Sequence, residues 1–303
     1  MTRQRKADLL LVLVTGFWGC SYYLSDLALG EMPPFALCAF RFLLASLLLG
    51  AVLFPKLRTV SRKTLLYAIP AGLSLTLTYI GATVGLLYTS ISNAGFICSL
   101  PVVTTPLLSF LVYRKKPERR MLLCLVLCAV GLALLTLQEN FRPAAGDLIC
   151  LLCALGYGIN LLVVEHAVQQ PEVDALQLGV FQQVVTGVVM LLLSVIFESP
   201  CLPQTPAGWG SALFLSVFCT GIAFAVTAVQ QKYTSAVHVG LIFTLEPLFS
   251  ATVAFFFAGE RLTARGYAGA ALMMLSLVAM EGGPAIFRRK KQPYKLRYPM
   301  FPP

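Results

Sequence analysis

Apolar residues fall into ten runs of bilayer-spanning length, separated by short polar connections that carry most of the Lys and Arg. A helix needs about 20 mostly apolar residues to cross the hydrocarbon core. Only a helix or a closed barrel satisfies its backbone hydrogen bonds there. The runs cover 9–29, 34–54, 65–87, 90–113, 121–137, 146–168, 175–197, 207–231, 235–258 and 264–282. The pattern predicts an all-α integral membrane protein with ten transmembrane helices. The first run follows the basic stretch Met1 to Lys6. It is too long for the apolar region of a signal peptide and is read as a retained first span.

The basic residues set the expected orientation. One side holds Arg3, Arg5 and Lys6, then Lys56, Arg58, Arg62 and Lys63, then Arg114, Lys115, Lys116, Arg119 and Arg120, then Lys232 and a basic tail. The other side holds Arg142, Arg261 and Arg265. This asymmetry predicts both termini in the cytoplasm, an even number of spans, and residence in the plasma or inner membrane.

Composition agrees. Charged residues are 12% of the chain and hydrophobic ones 58%, against about 25% charged in soluble domains. The net charge of +10 therefore reads as topology and not as nucleic-acid binding. The tail, 283–303, is expected to lie against anionic membrane lipid. Cys150 and Cys153 form a C-x-x-C inside an apolar run, where they read as small buried side chains and not as a redox or zinc site. No metal or cofactor is implied.

The two halves of the chain resemble each other. At an offset of 139, Asp8-Leu9 aligns with Asp147-Leu148, Trp18-Gly19 with Tyr157-Gly158, Leu37 with Leu176 and Phe42 with Phe181. Further on, Tyr88-Thr89-Ser90 aligns with Tyr233-Thr234-Ser235, Gly95 with Gly240, Ile97 with Ile242 and Leu100 with Leu245. One insertion then brings Pro101 onto Pro247. Five spans in each of 1–137 and 138–282 put the second half in the membrane the other way up. Such inverted repeats are a common transporter architecture.

The chain thereby resembles the EamA branch of the drug/metabolite transporter superfamily. The resemblance rests on Gly16-Phe17-Trp18-Gly19, Pro33-Pro34 with Arg41-Phe42, and Tyr88-Thr89-Ser90 through Pro101. It also rests on Thr244-Leu245-Glu246-Pro247 with Gly259-Glu260-Arg261-Leu262. It covers residues 8–282 and implies ten helices, a central cavity, and export or exchange of small metabolites. Arg114-Lys115-Lys116-Pro117 departs from it, standing where the first repeat often has a Gly-Glu-Arg-like turn.

Polar groups inside spans are costly and mark candidate sites. Arg41 and Glu246 are expected at similar depth. They form either a structural ion pair or a site in which Arg41 attracts an anionic group and Glu246 takes a proton or an amine. Trp18 and Tyr157 fall near the midplane, as aromatic walls, a gate or ordinary packing. Tyr79, Asn93, Asn160, Gln182, Gln230 and His238 complete the set expected to bind substrate, line the cavity or bond neighbouring helices. Pro101 and Pro247 are expected to kink their helices.

The function these features favour is a secondary transporter of small metabolites, amino acids included. It would work by alternating access as an exporter or exchanger, with proton coupling open through Glu246. No Walker A sequence is present. An intramembrane enzyme is disfavoured because Ser21, in a Gly-x-Ser fragment, is expected far from both His. A channel or accessory subunit stays open, though no filter-like loop is seen. The fifth and tenth spans are almost wholly apolar, which fits lipid-facing helices or the seam of a homodimer.

Overall fold

The structure, a computed structural model, describes residues 3–113, 119–136, 144–234 and 236–281, and among these every regular element is helical. The first half runs through α1 (Arg3–Leu29), α2 (Pro34–Val52), the short α3 (Phe54–Leu57), α4 (Arg62–Leu86), α5 (Ile91–Cys98), α6 (Pro101–Tyr113) and α7 (Arg119–Thr136). The second half runs through α8 (Ala145–Val168), α9 (Ala175–Phe197), α10 (Pro206–Ser216), α11 (Ala223–Gln230), α12 (Ala236–Ile242), α13 (Glu246–Val253) and α14 (Ala264–Glu281). The basic turn Arg114 to Lys116 with Pro117, Arg142, Ser235 and the tail 283–303 lie outside the described residues.

Among the described residues, seven segments are long and apolar enough to cross a membrane: Lys6–Leu29, Pro34–Val52, Arg62–Leu86, Ile91–Val112, Ala145–Val168, Ala175–Phe197 and Pro206–Gln230. The other three expected spans are helical but fall short of that standard. α7 and α14 have 18 residues each and adjoin residues outside the described set. The ninth is broken: a 3-10 turn at Phe243–Leu245 separates α12 from α13, and a π-helical turn at Ala254–Ala258 follows.

The breaks have local causes. Pro101 lacks an N–H and opens α6, so the fourth span is interrupted at Ser99–Leu100, between α5 and α6. Pro247 sits in the first turn of α13, where no intrahelical donor is needed. Gly259 ends the ninth segment at φ 68°, a left-handed conformation that costs glycine little.

Helix starts are capped by side chains. Ser61, Ser90, Asp174 and Thr205 each accept from a backbone N–H in the first turn of α4, α5, α9 and α10. Three more carboxylates sit at the starts of helices to which they do not belong. Glu198 accepts from the N–H groups of Phe35 and Ala36 at 2.9 Å each, Glu260 from those of Ile91 and Ser92 at 2.9 and 3.0 Å, and Glu31 from those of Gln204 and Thr205 at 2.7 and 3.1 Å. Each puts negative charge at a positive helix end and ties one connection to another.

Packing follows small residues. α4 crosses α8 so closely that a Cβ on Gly156 would stand 2.7 Å from the backbone nitrogen of Thr78. Pairings of α2 with α9 and of α7 with α14 complete the frame. Large apolar side chains such as Leu47, Leu111, Val195 and Phe256 are exposed, an arrangement that suits a lipid solvent.

Candidate functional site

Several buried polar and aromatic side chains line one cavity among α1, α2, α4, α8 and α13. Its walls include Trp18, Tyr22, Arg41, Tyr79, Tyr157 and Glu246, and its volume is about 50 Å³. That is room for a few water molecules, not for a metabolite, so the cavity is constricted in this conformation.

Arg41 lies about two turns into α2 and is 3% exposed. Its Nε donates to Thr220 Oγ1 at 2.9 Å, its Nη2 donates to the Tyr79 hydroxyl at 3.4 Å, and its guanidinium carbon lies 4.7 Å from the centre of the Tyr79 ring. Thr220 belongs to a π-helical turn, Val217–Ile222, between α10 and α11. Its hydroxyl donates five residues back to the Leu215 carbonyl at 2.8 Å, which leaves its lone pairs for Arg41. Such wide turns often occur at functional positions. Here the same turn also offers the Cys219 carbonyl to Trp18 Nε1 at 2.8 Å.

Trp18 is thereby fixed in an aromatic cluster. Its ring lies 5.6 Å from Tyr157, 5.3 Å from Phe224 and 4.7 Å from Phe243. The Tyr157 hydroxyl is buried and finds no partner among the described residues. Glu246 opens α13, where the helix dipole favours a carboxylate, and its Oε1 accepts from the Tyr22 hydroxyl at 2.6 Å.

Arg41 and Glu246 therefore share a cavity without sharing a bond. The Lys63–Glu172 ion pair and the His238–Asp8 contact involve neither of them. Each of the two groups is held by uncharged partners instead, Arg41 by Thr220 and Tyr79, and Glu246 by Tyr22.

Of the residues singled out in the sequence, the structure brings Trp18, Arg41, Tyr79, Tyr157 and Glu246 together here. The other five lie elsewhere. Asn160 Nδ2 donates to the Ala71 carbonyl at 2.8 Å and to Gln182 Oε1 at 3.2 Å, so this pair ties α4, α8 and α9 behind the cavity. Gln230 is half-buried in the last turn of α11. His238 meets Asp8 and Asn93 meets Asp147, both at bundle ends. Ser21 lines the cavity, but its hydroxyl donates to the Trp18 carbonyl at 2.7 Å. Tyr22 and Thr220 were not expected. Tyr22 stands one turn beyond Trp18 on the same helix face, a legible signal, whereas nothing in the sequence marks the π-helical turn that exposes Thr220.

Residues 5–137 and 144–281 match the EamA-like transporter family. An uncharacterized transporter of Archaeoglobus fulgidus is 29% identical over 90% of this chain and 84% of its own length. A probable amino-acid metabolite efflux pump of Salmonella typhimurium is 23% identical over 90% of this chain and 94% of its own. A solved crystal structure shares the fold with a TM-score of 0.71 at 16% identity, covering 91% of this chain and 96% of that one. With the family match spanning nearly all of the described helices, the chain belongs to the EamA-like transporter family, and it is an integral membrane protein.

Proposed function

We propose that this transporter exports or exchanges small zwitterionic metabolites, amino acids among them, by alternating access and without ATP. The observation that carries the reading is the separation of Arg41 from Glu246 across one cavity. A buried charge with no counter-ion is costly. Arg41 and the Glu246 carboxyl, each held by neutral groups in one cavity, suit a solute carrying both a carboxylate and an amine. Aromatic rings beside them supply apolar contact and cation–π attraction. The Salmonella relative named as an amino-acid metabolite efflux pump supports the same substrate class. Glu246 is the titratable carboxyl on the wall and is the proposed coupling group if a proton gradient drives transport.

The proposed layout is ten spans in two inverted repeats with both termini cytoplasmic. Support comes from contacts that recur at the offsets of the internal alignment. A Cβ on Gly19 would stand 3.0 Å from the backbone nitrogen of Ser250, and one on Gly158 would stand 2.6 Å from the hydroxyl of Thr104. Asp8 meets His238, and Asp147 meets Asn93. The family match also falls in two segments of similar length. Exchanging the conformations of two such halves moves access from one side to the other.

The test is counterflow of labelled amino acids in proteoliposomes. Saturable exchange that is lost in Arg41→Ala supports the reading. Single-channel currents from the same preparation would refute a carrier.

A further inference from the structure

A separate groove of about 410 Å³ opens on the outside of the bundle between α13 and α14. That size falls within the range of ligand pockets. It exists because α14 packs along α7 while α13 packs on α1 and α5, so the facing sides of α13 and α14 are left apart. The π-helical turn at Ala254–Ala258 turns successive phenylalanines outward beside it.

The groove is apolar at one end and polar at the other. Buried Phe96 lies within it, with Leu248, Phe256 and Met274 along its walls. Ser92, Glu260 and Tyr267 stand at its mouth, where α5 begins and the α13–α14 turn passes. The Glu260 carboxylate is already engaged, by the backbone N–H groups of Ile91 and Ser92 and by the Ser92 hydroxyl at 2.7 Å. Arg261 follows it, exposed, with its guanidinium carbon 6.0 Å from the centre of the Phe255 ring and no ion pair among the described residues. Tyr267 is 54% exposed, and its hydroxyl has no partner among them.

We propose that this groove binds one anionic phospholipid, with an acyl chain along Phe96, Leu248 and Met274 and the phosphate at Arg261 and the Tyr267 hydroxyl. A positive charge and a free donor at the polar end match a phosphodiester, and the apolar walls match a chain. The proposal rests on membrane residence and is independent of what the central cavity carries.

The test uses the full-length protein, delipidated in detergent and titrated with phosphatidylglycerol or phosphatidylcholine of the same chains, followed by native mass spectrometry. One retained lipid per chain is expected, with phosphatidylglycerol favoured several-fold, since a basic residue near the headgroup attracts anionic lipid. Arg261→Gln should remove that preference and keep the lipid. Ala270→Trp, which fills the groove, should lose the lipid. Thermal unfolding checks both variants, and Met274→Trp replaces Ala270→Trp should the latter not fold. Unchanged retention in a folded groove-filled variant overturns the proposal. So does equal binding of the two lipids by the unaltered protein, or equal stabilisation by inorganic phosphate alone. A dimer that forms without lipid and is broken by Ala270→Trp would assign the groove to a second copy of the chain instead.

Discussion

Asp8 Oδ1 lies 3.2 Å from His238 Nε2, and the contact paired with it by the alignment of the two halves joins Asp147 Oδ1 to Asn93 Nδ2 at 3.4 Å. The chain has thus put a titratable side chain in one contact and a neutral amide in the other. Asp147 is further held by Thr89 Oγ1 at 2.5 Å, whereas Asp8 and His238 are each about a third exposed. Replacing His238 by Asn would make the two contacts chemically alike. If the inverted-repeat relation holds, the variant should fold and still exchange substrate. Loss of the folded protein would count against equivalence of the two contacts.

The proposed coupling role of Glu246 is checked by Glu246→Gln. The amide keeps an acceptor for the Tyr22 hydroxyl, so folding should be retained. Exchange at equal pH on both sides should survive, and the response to an imposed pH gradient should vanish. A gradient response equal to that of the unaltered protein would remove Glu246 as the coupling group.

Thr220 should matter through Arg41. Thr220→Val strips the guanidinium of its 2.9 Å partner, and a buried donor left unsatisfied costs about 1–3 kcal/mol. If part of that appears in substrate binding, KM should rise about tenfold, since 1.4 kcal/mol is a factor of ten. Thr220→Ser, which retains the hydroxyl, should restore most of it. Equal transport in Val and Ser variants would sever the link.

Tyr157 makes the opposite kind of prediction. Its hydroxyl is buried without a partner, so Tyr157→Phe should leave thermal stability unchanged or raise it, by up to about 1 kcal/mol. Transport should weaken, because the orphan hydroxyl is a donor available to substrate. A stable variant with unaltered KM would mean that the hydroxyl never meets the solute.

Glu31 sets a pH dependence outside the membrane. The Thr205 hydroxyl, then the Gln204 and Thr205 N–H groups, hold its carboxyl below the ordinary value of 4.5. Because the folded state lowers this pKa, the stabilising contribution is present above the unfolded value and fades as pH falls through the folded one. Thermal unfolding of Glu31→Gln should therefore lie below that of the unaltered protein at neutral pH, with the difference shrinking under acid conditions. A pH-independent difference would assign the effect to something other than ionisation.

Much of the architecture was legible along the chain because lipid imposes a simple rule. Runs of about 20 apolar residues become helices wherever the backbone must satisfy itself, and the positions of α1, α2, α4, α8 and α9 follow those runs closely. Arg41 and Glu246 stood out for the same reason, as ionisable groups in apolar surroundings. What the chain could not display was how these groups are partnered. Depth along a helix is readable at 1.5 Å per residue, but rotation about its axis and the crossing of its neighbours are set by packing. That is why Asn160 and Gln182 turned out to bond each other behind the cavity. It is also why Arg41 meets Thr220 and not Glu246. The interruptions at 217–222 and 243–245 belong to the same class. A wide or tight turn within an apolar helix leaves no mark in the hydrophobic pattern, yet it decides which carbonyls and hydroxyls face the site.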